Sequence, residues 1–226
     1  MGRKLTASRL VALSVTALLL LGPRAAVAAE IMASDSRECF DAAVVAQVLR
    51  AIPTPIPDAG PDEIVMRWPW HLDLEVEQVL IGSPPPDSLR VVSIQHTGFN
   101  PQIKHFLFFL RREDNGKYVV AGMEFRIVRD NLGRFAMPLS APLEEDQLRP
   151  EGRIDSGYEK RLKALRYVPR DAWWLRPPHL DSTELDGFDP AWAHRSGPGL
   201  VAKRGLILDD LAEMIRAQPG AVCKHP

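Results

Sequence analysis

Short motifs that usually betray an active site are missing from this chain. The histidines His96, His105, His179, His194 and His225 form no HExxH pair or other close spacing, so a zinc centre would have to be assembled from distant segments. There is no G-x-S-x-G elbow, and no S-x-x-K after the leader, which removes the common serine-nucleophile signatures. Ser196-Gly-Pro-Gly199 is too short for a phosphate loop, and its proline takes away an amide donor such a nest requires. Internal repeats and low-complexity tails are absent too. Apolar runs are scarce: Leu10–Leu21, about a dozen residues, falls short of the roughly 20 that span a bilayer, and no later stretch is as long. Cysteine is confined to Cys39 and Cys223.

What is present begins with an export signal. Arg3, Lys4 and Arg9 precede the apolar run, and RAAVAAE follows it, so residues 1–29 are expected to be a signal peptide cut after Ala28 or Ala29. No cysteine lies near the cut to carry a lipid, and no membrane anchor is expected after cleavage. Removal takes away Arg3, Lys4, Arg9 and Arg24 and changes the formal charge from -1 to -5, that is 24 basic against 29 acidic residues. An acidic exported chain is a poor partner for nucleic acid or anionic membranes. In an oxidising compartment the even cysteine count favours a Cys39–Cys223 disulfide over two buried thiols. The expected location is periplasmic or secreted.

From Cys39 to Leu139 the chain reads as strands. DAAVVAQVLRAI stops at the proline-rich PTPIPDAGP. WPWHLDLEVEQVLIG alternates strictly, with Trp68, Trp70, Leu72, Leu74 and Val76 on one face and His71, Asp73, Glu75 and Glu77 on the other. LRVVSIQHT follows, then HFLFFL, whose near-continuous apolar character suits a strand buried on both faces. Asn115-Gly116 predicts a two-residue hairpin turn, and Asn131-Leu132-Gly133 a further hairpin. Five or six strands at this spacing predict a mainly β fold, an antiparallel OB-like barrel over residues 30–139. Residues 140–226 read as a helical and loop elaboration packed on it. Its first helix is expected to start with the capping-box spacing Ser156 to Glu159, carry Tyr158, Leu162 and Leu165 on one face, and stop at Pro169. The second carries Leu208, Leu211, Met214 and Ile215 and closes at Pro219-Gly220. Residues 168–205 show no period and are expected to wrap the barrel as a loop pegged by tryptophans.

The order VVAQVL, a long strand ending in Val79-Leu80-Ile81-Gly82, LRVVSI and HFLFFLRREDNGKYVVAG resembles the OB-like barrel of the tissue inhibitors of metalloproteinases and netrin modules. The resemblance spans roughly residues 39–125 and implies a secreted binding barrel. The inhibitory members bind protease zinc through an N-terminal cysteine. Here the mature chain is expected to start at Ala29 or Glu30, with Cys39 well inside, so that mechanism does not carry over.

Three candidate sites follow. The row His71, Asp73, Glu75 advances by about 7 Å per pair of residues, too extended to enclose one cation, and is expected to be a solvated strand face. Trp173, Trp174 and Trp192 could form a stacking platform for a glycan, or could peg the loop to the core. Cys39 as a catalytic thiol conflicts with its pairing. The chain is therefore expected to be a non-catalytic binding or structural protein with a protein or glycan partner, without cofactor or metal. A periplasmic hydrolase or metal-dependent enzyme with a dispersed site is the alternative. A deep pocket with converging titratable groups would mark the enzyme, and a broad exposed patch the binding module.

Overall fold

A computed structural model of the chain describes residues 39–57, 64–82, 87–99, 103–122, 124–143, 156–167, 174–175, 187–196, 199–218 and 220–224. The expected signal peptide lies outside them; the rest belongs to the unit Arg37–Pro226.

Strands β1 (Ala42–Pro53), β2 (Trp68–Gly82), β3 (Ser88–Gln95), β4 (His105–Arg112) and β5 (Tyr118–Val120) form a closed barrel in the order β1-β2-β3-β5-β4, with β4 returning to β1. The expected OB-like barrel is there, with one correction. It is not wholly antiparallel, because β3 and β5 pair in parallel through Val91↔Tyr118 and Val92↔Val119. The parallel pair follows from closure. β4 and β5 form a hairpin, and β4 already lies against β1, so β5 fills the remaining gap beside β3 with its direction fixed.

The β4–β5 turn also differs from the expected two-residue form. Gly116 N–H donates to Glu113 O at 2.8 Å while Glu113 N–H donates to Lys117 O, leaving the three-residue loop Asp114-Asn115-Gly116. Gly116 supplies the positive φ, 78°, that such a loop requires after its type I turn. The next hairpin, β6 (Phe125–Arg129) to β7 (Phe135–Leu139), repeats the pattern over Asn131-Leu132-Gly133. Its loop is organised by the buried Asp130, which accepts from the Leu132 and Arg134 amides and from the Arg134 guanidinium. Burial would raise the Asp130 carboxyl, but these donors hold it below the usual carboxylate value.

Alternation on β1 and β4 divides two cores. Ala42, Val44 and Ala46 with Phe106, Phe108 and Leu110 face the barrel interior, beside Leu72, Leu74, Leu89, Val91 and Val120. Their neighbours Ala43, Val45, Leu107 and Phe109 face outward into a second core with Ile127, Phe135, Met137, Leu206 and Leu211. The stretch 106–110 is thus apolar throughout because both faces of β4 are covered. The outer core is roofed by β6, β7, β12 (Arg204–Ile207) and the helix α1 (Leu208–Arg216), which begins where β12 ends. α1 buries Leu208, Leu211, Ala212, Met214 and Ile215, has Asp209 and Asp210 in its first turn and Arg216 in its last, and so matches its dipole. Arg216 also donates to Leu80 O on β2.

The other helix expected in this half is corrected. Ser156–Arg161 is a short 3-10 segment, and β8 (Lys163–Ala164) follows at once, paired with β12. Tyr158 enters the outer core while Leu165 joins a separate cluster with Val128, Ala136, Ala202 and Ile207, so they share no helical face. An available strand edge on β12 outweighed weak local helix preference. The loop expected over 168–205 is likewise partly strand. β9 (Trp174–Leu175), β10 (Ala193–Ser196) and β11 (Gly199–Ala202) form a small sheet in the order β10-β11-β9. Ser196 pairs with Gly199, and the two residues between them lie outside the described set.

At the chain ends, Phe40 bridges Val222, Cys223 N–H donates to Phe40 O at 2.9 Å, and Cys39 is joined to Cys223 by the expected disulfide.

Candidate binding surface

Of the three tryptophans, Trp173 lies outside the described residues. Trp174 pairs by backbone with Val201, and its side chain is not described. Trp192 is 9% exposed and packs in the outer core, with the Arg204 guanidinium 5.9 Å from its ring centroid. A stacking platform needs an open ring face. Trp192 takes the other role open to it, a peg.

The polar row of β2 divides in two. Asp73 and Arg90 form a bidentate pair across β2 and β3, at 2.6 and 2.9 Å, in solvent. The hydrogen bond from Arg90 holds Asp73 below its usual value. Glu75 is exposed. Glu77 is a hub and not merely the wet side of a strand. Its Oε1 accepts from Gln47 of β1 and lies 3.1 Å from His105 Nε2 of β4, and its Oε2 accepts from Arg129 of β6 at 3.0 Å. The Arg129 guanidinium sits 3.8 Å above the Phe135 ring, and the His105 ring meets Phe135 edge-on at 5.3 Å. Burial would raise the Glu77 carboxyl, but Gln47, His105 and Arg129 together bring it below the usual value. Both Glu77 oxygens are therefore engaged, which suits a strap across four strands better than a free general base. Among the described residues no three His, Cys, Asp or Glu side chains gather as a metal site, and no helix is long and apolar enough to cross a membrane.

The remaining feature is apolar. β1 pairs with β4 only from Ala42 to Ala46, whereas its ladder with β2 continues to Pro53↔Trp70. From Gln47 onward β1 is an edge strand among the described residues. A register shift between Val48 and Arg50 leaves Leu49 without a partner on β2. Val48 and Ala51 both turn toward the barrel core, and Leu49 turns to solvent, 59% exposed. Beyond the edge, Ile56, Ile64 and Met66 are 60%, 83% and 56% exposed. Thus, among the described residues, four of the six exposed large hydrophobic residues, the others being Leu132 and Val222, lie along or just beyond the outer end of the β1–β2 ladder, at one rim of the barrel. Sequence reasoning missed this rim. Its one available signal was the excess length of the first two strands over the other barrel strands.

Comparison with known protein families, with curated proteins and with solved structures finds no match to this chain.

Proposed function

We propose that this chain is an exported, non-catalytic binding protein whose barrel presents the rim of Leu49, Ile56, Ile64 and Met66 to a protein partner. The observation that carries the reading is the concentration of exposed aliphatic side chains on that rim. Isolated exposed apolar residues are ordinary, whereas several on one rim are how interaction sites are built. A protein is favoured over a glycan because sugar rings are gripped by aromatic faces, and none of the four exposed rim side chains is aromatic. Export is supported by the leader-like start and by the Cys39–Cys223 bond, a linkage that persists in oxidising compartments. The barrel order and the glycine that ends β2 support a distant relation to the netrin-like barrels, without their N-terminal cysteine chemistry.

Photo-crosslinking tests the reading. A photoreactive side chain at Leu49 or Ile64, in protein exported by its native host, should capture one discrete envelope or extracellular protein. The same group at Leu132, which is 70% exposed on the β6–β7 turn, should not. Equal capture from all three positions, or capture from none, would overturn the assignment of the rim.

A further inference from the structure

The seam between β4 and β6 is short. It consists of His105↔Ile127, Phe106↔Arg126 and Leu107↔Phe125, with His105 at its outer end. The ionisable groups gathered there are few. Glu77 reaches His105 from β2, Arg129 comes from β6, and Lys104 precedes it in the chain, while β1 contributes the neutral Gln47 and β7 the ring of Phe135.

Charge counting distinguishes the two states of His105. With a neutral imidazole the cluster holds one anion, Glu77, and two cations, Arg129 and Lys104. A protonated imidazole adds a third cation against the same single anion, on a side chain only 14% exposed. Glu77 already accepts from Gln47 and Arg129, so part of its capacity to compensate is in use. Moving β6 outward at Ile127 would carry Arg129 away and let water reach the ring. We propose that this seam is an acid-sensitive latch, in which protonation of His105 loosens β6 from β4 at the Ile127 end while the barrel stays closed.

The titration of His105 has the matching sign. Burial, then the charges of Arg129 and Lys104, outweigh the pull of Glu77 and hold the imidazole below its ordinary value of 6.5. The open seam, with a hydrated ring, therefore binds the proton more tightly than the closed one. Closure is fully favoured above about 6.5 and is lost progressively as pH falls toward the lower value of the closed form. An exported protein, as proposed above, meets the pH of its surroundings directly, but the latch itself does not depend on which partner is bound.

Amide hydrogen exchange on the full exported chain, disulfide intact and corrected for intrinsic rates, reads the latch. Between pH 6.5 and 5.5 the amides of the paired residues His105 and Ile127 should lose protection by up to about tenfold, one proton's share per pH unit. Those of Leu72 and Val91, in the β2–β3 ladder, should hold theirs. In His105→Gln, which keeps a neutral donor toward Glu77, the seam should lose its pH dependence. In Arg129→Gln the onset should move, because one competing cation is gone. Loosening that persists in His105→Gln, equal loss at Leu72 and Val91, or an onset unmoved by Arg129→Gln would each overturn the proposal. Failure of the rim to cross-link would leave it standing.

Discussion

Single residues in this chain take their meaning from what lies across the sheet. Glu77 and Asp73 occupy equivalent places in one alternating strand, yet Asp73 meets one exposed arginine and Glu77 gathers three partners from three other strands. Only the register of β1, β4 and β6 against β2 separates them, and that register cannot be read from the strand itself. Gly82 was more legible, as the glycine that ends β2, and its requirement is steric as well as conformational. It has φ 84°, and a Cβ there would lie 1.8 Å from Asp41 O, in the backbone entering β1. Gly133 has φ 78° with nothing within 4 Å of the same position. Gly82→Ala should therefore cost on the order of 3 kcal/mol or more, through strain and displacement of β1. Gly133→Ala should cost about 1–2 kcal/mol, the left-handed penalty alone. Denaturant unfolding of the two variants side by side checks this, and equal losses would mean that β1 yields readily at Asp41.

At the scale of elements, periodicity was informative wherever one physical constraint acted alone. The strict alternation of β2 and the two-sided burial of β4 were readable because a strand admits only those two patterns in a barrel wall. α1 was readable from its apolar stripe. The 3-10 segment Ser156–Arg161 was not, because the edge of β12 captured Lys163 and Ala164 and cut the helical spacing short. Strands of two to four residues, such as β9 and β10, are too brief to show a period at all. The outer portion of β2 permits a direct test of its role. His71, Asp73 and Glu75 point away from the barrel interior, and the ion pair of Asp73 with Arg90 is exposed. Replacing all three with alanine should change stability by less than about 1 kcal/mol, and a chelator should have no effect on wild type or variant. A large loss on chelation, abolished in the triple variant, would reveal a metal site where a strand surface is expected.

Over the whole molecule, closure is achieved twice, once by hydrogen bonds and once by covalent bonding. The barrel closes when β4 returns to β1. The chain closes when the segment after α1 returns to the residue pair that precedes β1, through the Phe40–Val222 bridge and the Cys39–Cys223 bond. The disulfide was legible from the even cysteine count together with the expected export, whereas the backbone bridge beside it had no sequence signature. The two act on different states. The bridge and the burial of Phe40 stabilise the folded chain, while the disulfide chiefly restricts the unfolded one, because it joins residues 184 apart in sequence. For a loop of that length the chain-entropy estimate is about 5 kcal/mol as an upper value, with any residual structure in the unfolded chain reducing it. Replacing both cysteines with serine should therefore lower the unfolding free energy by several kcal/mol while leaving the native β signature in circular dichroism intact, since Phe40 and Val222 still meet. Reduction of the wild-type protein should reproduce the loss. If the double variant unfolded at the same denaturant concentration as the oxidised protein, the bond would be ornamental and the Phe40–Val222 contact alone would hold the end of the chain to the start of β1.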